Sequence, residues 1–261
     1  SFPTRRSSDL EPEAIRLAIE EQRPDVLVIY DDSFNYLVKM CLTNMREAVF
    51  EMMKIAGEYN VPVIVSSSDA TDNCISYLNK GASYLIIGEA ELSLLQLIHC
   101  LEKKEAPSNV SGLAYLQNEQ VIKTPARAVL KQLDELPMPA WDLIDLSPYR
   151  KVWLKRSGYF SINMVTTRGC PYKCNWCAKP VYGNRYNSHS AKRVAEEMEF
   201  LLKYHNIDHI WFADDIFGLK PGFLEEFVAE LEKRKLKIPF KIQSRADLLC
   251  TEKAVNLLAQ A

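Results

Sequence analysis

The chain has 261 residues, 48% hydrophobic and 25% charged, which is the composition of a globular protein with one large domain or two ordinary ones. Its 32 basic and 34 acidic residues give a formal net charge of −2, so no bulk positive charge draws it to nucleic acid. No apolar run approaches the ~20 residues needed to cross a bilayer, and the start lacks a signal-peptide pattern. We therefore expect a cytoplasmic protein that binds neither nucleic acid nor a membrane.

The first part of the chain alternates helix and strand patterns. Residues 1–10 show no periodicity, and we set them aside as a non-native or disordered start. Beyond them, hydrophobic spacing predicts helices near 12–22, 43–58, 71–80 and 90–103, and apolar strands over 26–30, 61–65 and 83–87. Short apolar strands between helices indicate a parallel sheet covered on both faces. Residues 11–104 are thus predicted to be a partial doubly wound, Rossmann-like domain whose first strand precedes this sequence.

Residues 105–159 follow a different pattern. We predict a hairpin from Leu113–Leu116 and Gln120–Thr124, then a connector around the Pro-containing stretch Leu136–Trp141. From residue 160 the βα alternation resumes, with strands predicted over 160–166, 207–213 and 238–243 and helices over 190–204, 221–234 and 251–260. Repeated βα units of this kind predict that residues 160–261 are the N-terminal half of a barrel that continues beyond this sequence.

The strongest chemical signal is a cluster of cysteines. Cys170, Cys174 and Cys177 lie within eight residues at the carboxyl end of a predicted strand. Three thiolates from one short loop can hold three irons of a 4Fe-4S cluster and leave the fourth iron without a protein ligand. A zinc-stabilised interaction module, with His189 or Cys250 as fourth ligand, is the non-enzyme alternative, although structural zinc usually uses paired CxxC elements.

The remaining cysteines are scattered through apolar surroundings. Free cysteine is among the most often buried residue types, so we predict buried free thiols at all four positions, which are Cys41, Cys74, Cys100 and Cys250.

The CxxxCxxC motif, with Thr166-Thr167-Arg168-Gly169 before it, resembles the radical S-adenosylmethionine (SAM) superfamily. The resemblance implies a 4Fe-4S cluster on the three cysteines whose open iron binds SAM. It further implies that one electron, delivered by a donor such as flavodoxin or ferredoxin, cleaves SAM to methionine and a 5′-deoxyadenosyl radical that abstracts hydrogen. The cofactors then carry the hard chemistry, and the protein positions and shields them.

The same resemblance suggests SAM-binding residues. It places Trp176 near the adenine, and it places the Asp214–Asp215 pair where the family's backbone meets the SAM amino group. Arg245 follows the third strand of this part of the chain and could hold a carboxylate by a bidentate contact. Plainer alternatives remain open, namely an acidic N-terminal cap on the next helix for either Asp and a surface salt bridge for Arg245.

The order of the two predicted domains resembles the cobalamin-binding subclass of radical SAM enzymes. The resemblance implies a flavodoxin-like first domain that binds cobalamin at the carboxyl ends of its strands, where open α/β sheets place ligands. The residues at those ends are Ser33, Ser66, Ser67, Gly88 and Glu89, and Gly88-Glu89-Ala90-Glu91 resembles the family's Gly-Glu-Gly-Glu run. A doubly wound domain that holds no cofactor is the alternative.

We therefore expect an α/β protein in which a partial flavodoxin-like domain precedes a partial radical SAM barrel. The resemblance implies an enzyme that transfers a methyl group to an unactivated carbon of a small-molecule substrate. A radical SAM oxidoreductase or cyclase without functional cobalamin is the alternative among enzymes.

Overall fold

A computed structural model of the chain describes residues 12–30, 42–175 and 184–261, so the excluded start lies outside the described residues. The described chain divides into two compact units, and the boundary along the chain lies between residues 129 and 130. The elements of the first unit are α1 (Ala14–Gln22), β1 (Leu27–Tyr30), α2 (Leu42–Glu58), β2 (Val63–Ser66), α3 (Ser68–Asp72), α4 (Cys74–Asn79), β3 (Tyr84–Ile86), α5 (Glu91–Glu102), β4 (Leu113–Gln117) and β5 (Gln120–Lys123).

The first unit contains a five-stranded sheet in the order β1-β2-β3-β4-β5. Strands β1, β2 and β3 pair in parallel, whereas β4 and β5 form the predicted hairpin and add to the sheet in antiparallel orientation. Leu113 and Ala114 lie opposite Ile86 and Leu85. The hairpin therefore extends the parallel sheet of the preceding βα units.

Side chains of this sheet alternate between two cores. On β2, Val63 and Val65 pack with helices α1, α2 and α4, while Ile64 packs on the other face with Ile86 and with Leu97 of α5. Because successive strand residues point to opposite faces, a strand buried on both sides must be apolar throughout. The doubly wound prediction is thus confirmed.

The helix expected over residues 71–80 is instead two short helices, α3 and α4, that meet at Asn73. Ser67 starts α3 early, because its Oγ accepts a hydrogen bond from the Ala70 N–H at 2.9 Å. Asn73 then donates from Nδ2 to the backbone carbonyl of Asp69. Such local bonds of Ser and Asn side chains compete with the helical pattern, which explains the break.

The second unit begins with a connector and continues as βα units. Its helices and strands are α6 (Ser147–Ser157), β6 (Ser161–Met164), β7 (Thr167–Arg168), β8 (Asn187–Ser188), α7 (Ala191–His205), β9 (His209–Phe212), α8 (Phe223–Arg234), β10 (Phe240–Lys241), α9 (Ala246–Leu249) and α10 (Glu252–Gln260). Strands β10, β9 and β6 pair in parallel in that order. The predicted strands are confirmed, although β10 is only two residues long.

Helix α6 was not predicted from the sequence. It has a proline in its first turn, ends at Gly158 with φ of 77°, and buries none of its residues. Proline at the start and glycine at the end are typical of helices. Its apolar residues form no single buried face, so hydrophobic spacing could not reveal it.

The core of the second unit lies between the sheet and helices α7 and α8. Phe160, Ile162 and Met164 are alternate residues along the chain, and all three pack in this core. The ring centroids of Phe212 and Phe227 lie 6.0 Å apart within it. The two helices thus cover one face of the sheet. The carboxyl ends of β6 and β9 remain available for functional loops. Within the described residues, no helix is both long and apolar enough to pass through a bilayer.

Candidate functional site

The cysteine motif lies in a loop whose two ends are paired. Strand β7 runs antiparallel to β8, with Thr167 opposite Ser188 and Arg168 opposite Asn187. The backbone N–H of His189 donates to the carbonyl of Thr166 at 2.8 Å. This short ladder joins residues 167–168 to residues 187–188, so the two ends of the segment between them lie side by side. We call the segment 169–186 the cysteine loop.

Two of the three motif cysteines are described, and both are free thiols. Cys170 is half-buried and Cys174 is exposed. Gly169, with φ of 82°, lets the chain turn from β7 into the loop. Trp176 and Cys177 lie outside the described residues. The donor chemistry suits an iron–sulfur cluster, because unpaired thiols on one loop supply the ligands that such a cluster uses.

The Asp pair after β9 is divided by burial. Asp214 is 2% exposed, and its Oδ1 accepts hydrogen bonds from the N–H groups of Thr166 and Thr167 at 2.7 and 2.9 Å. Its Oδ2 accepts from the Thr166 hydroxyl at 2.6 Å. Burial raises the pKa of the Asp214 carboxyl, and these hydrogen bonds oppose the rise. Asp215 is exposed, so only one carboxylate of the pair is available to solvent.

Arg245 lies against the cysteine loop. Its guanidinium carbon is 4.1 Å from the ring centroid of Tyr172, the residue midway between Cys170 and Cys174. Its Nε and Nη2 donate to the two carboxylate oxygens of Asp247 at 2.9 and 3.2 Å, and this hydrogen bonding lowers the pKa of Asp247. The guanidinium is therefore both stacked and paired beside the loop.

In the first unit, the carboxyl ends of β2 and β3 bring the expected cobalamin residues to one edge of the sheet. Ser66, the last residue of β2, pairs with Ile86 of β3, so Ser66 and Ser67 lie at the end of β2 next to the place where Gly88 and Glu89 follow β3. Ser66, Ser67 and Glu89 are buried. Ser33 lies outside the described residues.

Gly88 leaves its surroundings open. Its φ is 91°, and a Cβ built onto it would meet no described heavy atom within 4 Å other than those of its chain neighbours. A ligand could therefore approach the backbone closely at this strand end.

A buried carboxylate also supports this edge. Asp69 accepts hydrogen bonds from Nε and Nη2 of Arg46 at 2.6 and 2.5 Å and from the Tyr77 hydroxyl at 2.6 Å. Burial acts to raise the pKa of Asp69, but the bonds from Arg46 and Tyr77 outweigh it and the pKa is lowered. Sequence reasoning missed Arg46, because 23 residues separate it from its partner.

His189 and Cys250, the candidate fourth zinc ligands, differ in their surroundings. The Nδ1 atom of His189 is 2.9 Å from Oδ1 of Asp134, a residue of the connector. Burial lowers the pKa of His189, and the contact with Asp134 opposes that effect. Cys250 is an exposed free thiol after α9.

The prediction of buried thiols outside the motif holds only in part. Cys74 is buried as expected, Cys100 is half-buried, and Cys250 is exposed, which corrects the prediction for that residue. Cys250 follows a four-residue helix near the surface, where its apolar neighbours do not form a core. Cys41 lies outside the described residues.

Comparison with known proteins gives matches along the chain. Residues 164–261 match the Radical SAM superfamily. The chain is 29% identical over 213 residues to the uncharacterized methyltransferase PH0819 of Pyrococcus horikoshii, covering 81% of this chain and 43% of that protein. It is 25% identical over 273 residues to the anaerobic magnesium-protoporphyrin IX monomethyl ester cyclase of Rubrivivax gelatinosus, covering 100% of this chain and 46% of that protein. The chain thus spans less than half the length of these relatives.

Among solved structures, the chain resembles the cobalamin-dependent S-adenosylmethionine radical enzyme OxsB with aqua-cobalamin and S-adenosylmethionine bound. The TM-score is 0.71 at 21% identity, over 95% of this chain and 35% of that chain. This likeness is one of fold and spans both units. Residues 164–261 accordingly resemble a radical SAM domain, and the chain shares its α/β fold with OxsB.

Proposed function

We propose that the protein is a cobalamin-dependent radical SAM enzyme that transfers a methyl group to an unactivated carbon of a small molecule. The observation that carries the proposal is the cysteine loop, which follows β7 beyond the carboxyl end of β6, within a segment that matches the Radical SAM superfamily. The methyltransferase name of the Pyrococcus horikoshii relative supports the methyl-transfer reaction.

We assign the cluster to Cys170, Cys174 and Cys177, which leaves one iron open for SAM. When bound, the cluster and SAM together supply the one-electron reductive cleavage that starts radical chemistry, with a flavodoxin or ferredoxin as electron donor. The exposed carboxylate of Asp215 can accept a hydrogen bond from the SAM amino group. Trp176 is assigned to the adenine by its place in the motif.

Arg245 is assigned to the SAM carboxylate. Its position against Tyr172 puts a guanidinium beside the cysteine loop, and guanidinium groups bind carboxylates in bidentate geometry.

We assign cobalamin to the sheet edge of the first unit, where Ser66, Ser67, Gly88 and Glu89 lie, together with Ser33. The open space at Gly88 supports close approach of a large planar ligand to the backbone. The OxsB structure has aqua-cobalamin bound, and its fold matches that of this chain. Bound cobalamin supplies a metal that carries a methyl group.

Metal content after anaerobic reconstitution with iron and sulfide tests the cluster. We expect about four irons per chain, and none in C174A, because loss of one of three thiolate ligands prevents assembly. C250A is the matched control, since Cys250 is also an exposed free thiol but lies outside the motif. Stoichiometric zinc without iron would instead identify the zinc-stabilised interaction module.

A ring-forming reaction is the second candidate, favoured by the cyclase of Rubrivivax gelatinosus, which matches the whole chain. The products made from SAM separate the two functions. A methyltransferase releases S-adenosylhomocysteine when it gives up the methyl group, whereas a cyclase forms only 5′-deoxyadenosine and methionine. We expect cobalamin-dependent S-adenosylhomocysteine in the reduced, reconstituted protein, and its absence from cobalamin-loaded protein would favour the cyclase.

A further inference from the structure

Asp214 connects the end of one strand to the start of the cysteine loop. It follows β9, yet its carboxylate accepts three hydrogen bonds from Thr166 and Thr167, which follow β6. Two of the three donors are backbone N–H groups, so the carboxylate fixes the main chain as well as a side chain. Thr166 is fully buried and Asp214 is 2% exposed, so water cannot replace these bonds.

The residues that Asp214 holds form the base of the cysteine loop. Thr167 is the first residue of β7, which pairs with β8, and the carbonyl of Thr166 accepts from the His189 N–H. Only Arg168 and Gly169 separate this anchored pair from Cys170. A shift of the backbone at Thr167 would therefore move the first thiol of the motif.

We propose that Asp214 is a positioning residue for the iron–sulfur cluster: it holds the Thr166–Thr167 backbone so that Cys170 enters the loop at the place the cluster requires. The inference rests on the proposed function, because it presupposes that the motif cysteines bind a cluster. It assigns Asp214 a role different from the SAM contact that the family resemblance suggests. Both of its oxygens already accept hydrogen bonds from the chain, whereas Asp215 is exposed.

The role requires a hydrogen-bond acceptor, and substitutions of similar size can test this. In D214N, the amide oxygen can still accept from the two N–H groups, and the NH₂ group can donate to the Thr166 hydroxyl. D214L keeps the number and branching of the side-chain heavy atoms but removes every acceptor. Asp208 offers a matched control, because it precedes the same strand β9 and accepts from the Phe160 N–H at 2.9 Å, at the opposite end of β6.

The measurements are iron and sulfide content after anaerobic reconstitution, the electron paramagnetic resonance spectrum of the reduced cluster, and SAM affinity by equilibrium dialysis. We expect D214L to retain less than half of the wild-type iron, D208L to retain all of it, and D214N to match the wild type in iron content, spectrum and SAM affinity.

Several results would overturn the inference. One is a D214L protein with wild-type iron content and spectrum, and another is a D208L protein that loses as much iron as D214L, which would show a general folding defect. A D214N protein with a full cluster but at least about tenfold weaker SAM binding would identify Asp214 as a SAM contact instead.

If D214L does not fold, T166V decides, since it removes only the hydroxyl donor. We expect T166V to lose iron to a chelator several-fold faster than the wild type, and equal rates would overturn the inference. Wild-type protein that takes up no iron would overturn the proposed function itself. If the wild type binds iron and the variants match it in iron content and in the rate of iron loss, only the role of Asp214 is overturned.

Discussion

Arg245 shows how one side chain near the cysteine loop can serve two contacts. Its ring contact with Tyr172 and its ion pair with Asp247 hold the guanidinium in place before any ligand binds. A side chain that is already ordered loses less conformational entropy when it binds a ligand. The Asp247 carboxylate also occupies an edge of the guanidinium that a SAM carboxylate could use, so SAM would share or displace it.

We predict that R245Q weakens SAM binding by about tenfold or more, because a charge-assisted contact to a carboxylate is lost. The iron content should stay at the wild-type value, since Arg245 is not a cluster ligand. Equilibrium dialysis of the reconstituted protein measures SAM affinity, and iron analysis of the same samples measures iron content. R234Q is the control, because Arg234 pairs with Glu196 and Glu230 on helices α7 and α8. Unchanged SAM affinity in R245Q would contradict the assignment of Arg245 to the SAM carboxylate.

At this scale, the sequence is informative where the chemistry is local. The cysteine motif is visible from its spacing alone, and the helix predicted from residue 190 begins at Ser190, whose Oγ accepts from the Arg193 N–H at 3.1 Å. The partnership of Asp214 with Thr166 spans 48 residues, so it depends on how β6 and β9 pair. No local sequence pattern indicates such a contact, so Asp214 was predicted from the sequence to lie near the SAM amino group instead.

At the scale of elements, the connector is bonded along helix α7. Asp134 accepts from the Ser190 N–H at 3.0 Å, the carbonyl of Leu136 accepts from Arg193, and the Trp141 indole N–H donates to Glu197 at 2.9 Å. The first of these bonds lies at the N-terminus of α7, directly after β8. The connector thus supports the helix that follows the cysteine loop, a role that its Pro-rich sequence did not reveal.

Glu197 gives this arrangement a pH dependence. Burial raises the pKa of Glu197, and the Trp141 hydrogen bond opposes the rise only in part. A carboxyl whose pKa is higher in the folded than in the unfolded state binds more protons when folded, so folding stability falls as pH rises from the unfolded value, about 4.3, through the folded one. Ionised Glu197 therefore costs stability at neutral pH.

We predict that E197Q raises the melting temperature at pH 7, because glutamine keeps an acceptor for the Trp141 N–H and carries no charge. The advantage over the wild type should disappear at about pH 4, below the unfolded pKa of glutamic acid. Thermal unfolding followed by circular dichroism at the two pH values measures it. E199Q, at an exposed position of the same helix, should give no such gain. A melting temperature of E197Q that is equal to or below that of the wild type at pH 7 would contradict the prediction.

Element boundaries were predicted well where burial on one or two faces imposes a period. The parallel strands and helices α7 and α8 follow from apolar spacing, whereas α6 buries no residue and leaves no such signal. The short ladder between β7 and β8 was also missed, because two-residue strands are too brief to show alternation.

At the scale of the whole molecule, each unit buries its own core. The first unit has one apolar cluster on each face of its sheet, and the second has a separate cluster between its sheet and helices. Because each unit has its own core, we expect a substitution in one unit to have little effect on the folding of the other. The two cofactors that we propose lie on different units, so their binding should be separable by single substitutions.

We predict that C170A removes the iron and leaves the affinity for cobalamin unchanged, while S66V keeps about four irons and weakens cobalamin binding by about tenfold. Valine suits the end of a buried strand, so S66V removes a hydroxyl with little effect on the fold. Iron analysis and cobalamin dialysis of the same samples give both quantities, and C250A should resemble the wild type in each. Loss of cobalamin from C170A would show that the two sites form one coupled centre, and wild-type cobalamin affinity in S66V would remove Ser66 from the proposed site.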